Sequence, residues 1–290
     1  MPDFRLRTGT GATEGTVAPD AGAPGERGEG AGGEGAGGEA GHDEAGRVLG
    51  FIHSAETTGT VNGPGVRYTL YLSGCPLRCL YCHNPDTWEM RLGERVSVDQ
   101  VVADIEKFLI FLRTTGGGLT ASGGEPLLQP QFLLALFRRV KELWGLHTAL
   151  DTSGNLGDRA PDELLDVTDL VLLDVKSGLP DTYRRVTGAE LAPTLTFGRR
   201  LAARGNRMWI RYVLVPGYTD APDNLAAVAD FVASLGRPVE RVEVLPYHDL
   251  GAHKYAELGL PYRLAGVPGP TSEQVEAARA TFRDRGLVVL

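Results

Sequence analysis

A parallel α/β fold is predicted for this chain of 290 residues by three observations. Six apolar, β-rich runs follow one another between residues 66 and 248, segments of helical pattern lie between them, and the polar and charged residues collect where the runs end. Strands alternating with helices call for βαβ units with right-handed crossovers. That leaves a barrel, a partial barrel or an open doubly wound sheet, and periodicity does not choose among them. The length would hold two average domains or one α/β barrel, and a hydrophobic fraction of 42% is enough for a large core.

Residues from about Thr8 to Ala45 are mostly Gly, Ala, Glu and Pro, including GERGEGAGGEGAGGEAG. Such a stretch buries too little apolar surface to offset its ordering entropy, so residues 1–46 read as a disordered tail and 47–290 as the folded domain. VLGFIHS, just after Arg47, is the first apolar run. The first strand is VRYTLYLSG (66–74). SVDQVVADIEKFLIFL (97–112) follows as a helix opening on Ser97 as N-cap. GLTAS (118–122) is the second strand, QPQFLLALFRRVKELW (129–144) a helix, and LHTALDTS (146–153) the third strand. The short helix PDELLDVT (161–168) leads to the strand DLVLLDVK (169–176), and the weaker helix PTLTFGRRLAARG (193–205) to MWIRYVLVPG (208–217). NLAAVADFVASLG (224–236) stops at Gly236 before the last strand, RVEVLPYH (241–248).

Composition narrows the function. The net charge is −8, so no general basic field attracts nucleic acid. No apolar run reaches membrane-spanning length and MPDFRLRTGT lacks a signal h-region, which makes a cytoplasmic location the expectation. All three cysteines lie within CPLRCLYCHNPDTW (75–88), and an odd count in one loop is a poor disulfide framework.

In parallel α/β folds the working residues gather at the carboxyl ends of the strands. The first strand runs into the loop of Cys75, Cys79 and Cys82. The second ends in Ser122-Gly123-Gly124-Glu125, the third in Asp151-Thr152-Ser153, the fourth in Asp174-Val175-Lys176 and the sixth in Tyr247-His248. All are expected to face one mouth. The spacing C-x3-C-x2-C fits two centres: a Cys3His zinc completed by His83, or a [4Fe-4S] cluster whose fourth iron stays open to a ligand. An imidazole directly beside a ligating Cys is poorly placed for the same zinc. The glycines of SGGEPLLQ read either as a tight turn or as a place where a ligand approaches the backbone. Asp151, Asp174 and Lys176 are solvated if exposed, and need partners if the mouth is buried.

C-x3-C-x2-C after a first strand, with Tyr81 just before the last Cys and a GGE segment after the second strand, resembles the signature of the radical S-adenosylmethionine (SAM) enzymes. Within them the chain resembles the pyruvate formate-lyase activating enzymes from about Gly50 to the C-terminus. The resemblance rests on IHSAETTGTVNGPGVRY, GCPLRCLYCHNPDTW, TTGGGLTASGGEPLLQ, ALDTSGN, VTDLVLLDVK, MWIRYVLVPGYTD and VEVLPYHDLGAHKY. It implies a partial (β/α)6 TIM-type barrel, a [4Fe-4S] cluster on Cys75, Cys79 and Cys82, and SAM on the open iron. It implies an oxidoreductase that forms a 5′-deoxyadenosyl radical and takes a hydrogen from one glycine of pyruvate formate-lyase. Tyr81, His83, Gly123, Gly124, Glu125, Asp174, Val175, Lys176 and His248 would line the SAM pocket. Asp151, Thr152, the Leu172 carbonyl and Asp174 would hold a monovalent cation. Flavodoxin or ferredoxin is the expected reductant, and a monomer the expected state.

One departure stands out. The family's usual Asp in the segment TVNGPG is Asn62 here, which keeps hydrogen bonding and loses the charge. That position is expected near the incoming glycine peptide. The alternatives are activation of another glycyl radical enzyme, a small-molecule radical SAM reaction such as deazapurine carboxylate synthesis, activation of an anaerobic ribonucleotide reductase, and a structural zinc module.

Overall fold

The computed structural model describes residue 41 and residues 47–290. The tail expected over 1–46 therefore lies, apart from Gly41, outside the described residues. Among the described residues no helix is long and apolar enough to cross a membrane.

The chain enters through β1 (Leu49–Gly59), turns back through β2 (Arg67–Leu72), and crosses the cysteine loop to β3 (Glu94–Ser97). Then follow α1 (Val98–Glu106), α2 (Leu109–Thr114), β4 (Gly118–Gly123), α3 (Pro130–Trp144), β5 (His147–Thr152), α4 (Asp162–Asp166) and β6 (Leu170–Asp174). The second half contains α5 (Pro180–Thr187), α6 (Ala192–Arg204), β7 (Met208–Leu214), α7 (Pro222–Leu235), β8 (Val239–Pro246), α8 (Ala252–Glu257) and α9 (Ser272–Arg283). The sheet order is β3-β1-β2-β4-β5-β6-β7-β8. The six expected strands are β2 and β4 to β8, each parallel to its neighbour. Two strands come in addition, since β1 pairs antiparallel with both β2 and β3.

The single helix expected over 97–112 is two. Ser97 caps α1 with a full capping box to Gln100, as its sequence suggests. The helix stops at Lys107, and α2 restarts after Phe108, whose backbone leaves the helical region with φ −110° and ψ 2°. The helices pack their apolar faces on the sheet: Phe132, Leu133, Leu136, Phe137 and Val140 of α3 and Val228, Ala229 and Val232 of α7 are fully buried in the core. The inner face of the sheet is different: buried polar side chains such as Thr69, Thr120, Ser122 and Arg211 share it with a small apolar cluster of Ala149, Leu170, Leu172 and Trp209.

The connection from β1 to β2 supplies the floor of that inner space. Thr120 Oγ1 of β4 donates to the Asn62 carbonyl at 2.7 Å. The Asn62 amide donates to Thr69 Oγ1 of β2 at 3.4 Å, while Arg211 of β7 donates to the Val61 carbonyl and to Asn62 Oδ1. One loop thus ties strands that are separated in the sheet by β5 and β6. Its fit is close, since a Cβ on Gly65 (φ +66°) would lie 2.5 Å from the Gly117 nitrogen, and one on Gly117 would lie 1.8 Å from the Val66 carbonyl oxygen.

Candidate active site

A cavity of about 480 Å³ opens at the carboxyl ends of the strands, within the range of small-molecule sites. It brings together Asn62, Cys75, Cys79, Tyr81, Cys82, His83, Gly123, Gly124, Asp151, Thr152, Asp174, Lys176 and His248. Three expected residues stand behind its wall. Leu172 is fully buried in a small cluster with Ala149, Leu170 and Trp209, and Val175 is fully buried with its N–H donated to the Arg211 carbonyl at 3.0 Å.

Glu125 is the third. Only 1% exposed, it accepts from Thr152 Oγ1 (2.6 Å), Ser153 Oγ (2.5 Å), Ser153 N (3.0 Å) and Leu127 N (3.1 Å). Burial raises its pKa against the pull of these donors. Its side chain therefore ties the β4 end to the β5 end. The neighbouring glycines also serve the protein's own packing. A Cβ on Gly124 would stand 2.1 Å from the Gly74 carbonyl oxygen and 3.2 Å from Cys75 Cβ, and one on Gly123 (φ +111°) 2.4 Å from Leu72 backbone atoms. The Gly124 and Glu125 amides donate to the Leu72 and Gly74 carbonyls at 2.9 and 2.8 Å. GGE holds the turn that launches the cysteine loop.

That loop is braced on every side. Gly74 and Cys75 donate to the Thr87 and Trp88 carbonyls, and Arg78 and Leu80 to the Thr187 and Val186 carbonyls at the end of α5. Tyr255 of α8 donates to the Cys82 carbonyl at 3.1 Å. All three thiols are free of disulfide. Burial pushes each one up, Cys79 to about 12, and their mutual repulsion adds to this for Cys75 and Cys79. Thiols in that state bind metal only by giving up their protons to a strongly positive centre. A single tetrahedral zinc requires its donors about 2.3 Å from one point, and among the described residues no group of three or more His, Cys, Asp or Glu side chains is placed to hold one ion. His83 in particular is engaged elsewhere: its ring stacks on His248 with centroids 4.3 Å apart, and Nε2 donates to the His248 carbonyl at 3.2 Å. Burial lowers its pKa, so the ring is neutral.

The opposite wall is charged. Lys176 Nζ pairs with Asp174 Oδ2 at 2.9 Å and lies over the Tyr81 ring at 5.7 Å. Its burial is the largest influence and opposes the charge, but Asp174 together with Cys79 and Tyr81 more than offsets it and holds the ammonium well above its ordinary range. The buried Tyr81 hydroxyl has no hydrogen-bond partner among the described residues, an open polar demand inside the cavity. Asp151 accepts from Ser122 Oγ at 2.7 Å and pairs with Arg211 at 3.3 Å, and burial raises its pKa while Arg211 pulls it down. Arg211, 9% exposed, also pairs with Glu243 at 3.1 Å. It is the functional residue that the strand-end reading missed, because it sits in the middle of β7. A lone charge in the apolar run MWIRYVLV was its signal.

The residues present fit a cluster and a zwitterionic cofactor. Three thiols, two carboxylates and an ammonium line one cavity, and the Tyr81 hydroxyl beside it is without a partner among the described residues. Such an arrangement can hold a ligand carrying carboxylate, ammonium and a further positive charge. The monovalent-cation residues are at hand too, though Asp151 and Asp174 already face Arg211 and Lys176.

Comparison with known proteins agrees. Residues 70–229 match the radical SAM superfamily. The chain is 42% identical to the pyruvate formate-lyase 1-activating enzyme of Escherichia coli (strain K12) over 245 residues, covering 84% of this chain and 99% of the relative. It is 48% identical to the pyruvate formate-lyase-activating enzyme of Staphylococcus aureus (strain USA300) over 246 residues, covering 82% and 97%. Among solved structures it resembles a domain of a pyruvate-formate lyase-activating enzyme from Bacteroides vulgatus, with TM-score 0.51 and 29% identity over 60% of this chain and 98% of that one.

Proposed function

We propose, from the premise that this chain belongs to the radical SAM superfamily and within it to the pyruvate formate-lyase activating enzymes, that it installs a glycyl radical on pyruvate formate-lyase. The observation that carries the reading is the cavity in which three disulfide-free cysteines face paired charges of both signs. Residues 47–290 act as one radical SAM domain. Cys75, Cys79 and Cys82 would hold a [4Fe-4S] cluster, and Gly124, Asp174, Lys176 and His248, which line the same cavity, would bind SAM. When bound, this pair supplies a 5′-deoxyadenosyl radical, chemistry that no side chain provides.

The protein's own part is placement and exclusion. Lys176, fixed by Asp174 and resting on Tyr81, presents an ammonium to a carboxylate without losing its own counter-ion. The Tyr81 hydroxyl completes a hydrogen bond on ligand binding. The stacked His83–His248 pair closes the cavity beside the third cysteine and, being neutral on His83, does so without repelling a cationic ligand. Asn62 lies on the floor with Arg211, where a glycine-bearing loop of the partner enters. Asp151, Thr152, the Leu172 carbonyl and Asp174 would hold a monovalent ion. A flavodoxin or ferredoxin supplies the electron, and the chain works as a monomer in the cytoplasm.

Anaerobic reconstitution followed by incubation with SAM, a reductant and pyruvate formate-lyase tests this. About four irons per chain, 5′-deoxyadenosine and a glycyl-radical EPR doublet are expected. One zinc and no iron overturns the centre. Deoxyadenosine without a radical on any pyruvate formate-lyase overturns the partner.

A further inference from the structure

The segment HNPDTW contributes one side chain that the cofactor pocket does not explain. Trp88 lines the cavity wall together with Cys82. The exposed Arg78 guanidinium lies over the same ring, 4.8 Å from its centroid. One half-buried aromatic therefore shares the cavity with a cysteine and bears a surface cation on its face. Beside it, Arg78 N donates to the Thr187 carbonyl, which brings in the end of α5. There the exposed Arg185 lies over Tyr218, 5.2 Å from the centroid, with Nη2 donating to the Tyr218 carbonyl at 2.8 Å.

Neither arginine has a carboxylate partner among the described residues. The nearby acids are occupied otherwise: Glu89 pairs with Arg91, and Asp181 and Glu190 with Arg184. On a chain of net charge −8, two guanidiniums placed over aromatic rings, one in the cysteine loop and one at the end of α5 bonded to it, form a local positive spot. Stacking keeps them in place without neutralising them.

We infer that this Arg78–Trp88–Arg185 face is where a small acidic flavodoxin-type protein docks to deliver its electron. The inference rests on the activase reading and adds the site of its reductant. The step moves one electron and breaks no bond: the donor's reduced flavin is oxidised by one electron and the cluster is reduced by one. Redox encounters are small and transient, so a few charges are sufficient to steer them. Cations seated over aromatic rings suit the exposed edge of a flavin ring, and Trp88 stands between that surface and the cavity it shares with Cys82.

The test uses the full reconstituted chain and oxidised flavodoxin, with affinity read by calorimetry at rising ionic strength. Arg185→Glu decides, because among the described residues its side chain hydrogen-bonds and stacks with Tyr218 alone, whereas Arg78 Nη1 also donates to the Cys75 and Leu77 carbonyls at 2.7 and 2.8 Å. Weakening by about tenfold at low salt is expected, with the difference from wild type fading as screening shortens to a few ångströms. Arg185→Lys should bind within about threefold of wild type, since the steering charge remains. Photochemically reduced Arg185→Glu should still form deoxyadenosine at the wild-type rate. If Arg185→Glu binds flavodoxin as wild type does at low salt, or if an acidic ferredoxin binds the face as tightly as flavodoxin, the inference is wrong. Failure of the activase reading would look different: chemically reduced wild type would leave pyruvate formate-lyase without a radical.

Discussion

Two arginines are buried in the inner space of this barrel, and they are buried differently. Arg67 of β2 is fully enclosed and meets no carboxylate directly. Its Nε donates to Thr120 Oγ1 at 2.9 Å, and its two amino groups to the carbonyls of Pro64, Leu119 and His147 and to His147 Nδ1. Burial lowers its pKa to about 10. Arg211 of β7 is almost as buried but faces Asp151 and Glu243, with Asp174 near, and these raise its pKa above the ordinary value despite burial. A cation satisfied by dipoles is part of the scaffold. A cation shared among carboxylates that also hold Lys176 and Arg241 belongs to a network of paired charges at the cavity, where a zwitterionic ligand can exchange partners with it.

The comparison can be broken most severely at the thiols, which belong to neither network. Cys79→Ser should abolish the cluster and deoxyadenosine formation while both arginine networks persist, as iron analysis and the unfolding midpoint would show. Arg67→Met and Arg211→Met should each cost about 3–5 kcal/mol in denaturant unfolding, but their pH behaviour separates them. Arg211→Met leaves Asp151, whose pKa burial already raises, without its cation, while Glu243 keeps Arg241. Its deficit should therefore shrink as pH falls and Asp151 protonates. Arg67→Met leaves only carbonyls and a hydroxyl, so no such recovery is expected.

His147 sharpens the contrast at a smaller scale. Burial, then the neighbouring Arg67 charge, lowers its pKa from 6.5 to about 4. Between those values the unfolded chain takes up a proton that the folded one refuses, so stability should fall as pH drops from about 6.5 to 4. After discounting for its partial exposure the loss is about 1–2 kcal/mol. His147→Gln should flatten that slope in pH-dependent unfolding. Asn62→Asp should have the smallest effect. It adds a third carboxylate around Arg211, leaves iron content unchanged, and shifts the ratio of installed radical to deoxyadenosine by less than about tenfold, measurable by EPR against product quantitation.

Sequence reasoning reached the six parallel strands because each is a dense apolar run, and it reached the mouth because strand ends are where a parallel sheet presents its polar groups. It did not find β1 and β3 as strands. SAETTG in β1 is polar, and its partner β3 is only four residues, so neither carries an apolar run beyond VLGFIHS. It passed over α9, although Thr271 and Gln274 of TSEQ form a capping box that is visible in the sequence. The roles within GGE were only half legible. Glu125 looks like a ligand-facing acid, but its partners Thr152 and Ser153 lie 27 and 28 residues away, and only the fold shows that they exhaust its oxygens. Arg211 was hidden for the same reason: its partners Asn62 and Asp151 are remote in sequence.

The loop through Asn62 belongs to no strand, yet it supplies the surface on which the cavity ends. The strands fix where the cysteines stand, while the β1–β2 connection lines the same cavity through Val61 and Asn62, and on the proposed reading sets how far a visiting chain can descend. Depth and reactivity are thereby set by separate pieces of sequence. Lengthening or shortening residues 60–66 should change which partners reach the reactive position without altering the cofactor chemistry above it. Evolution could thus exchange one partner for another by editing seven residues.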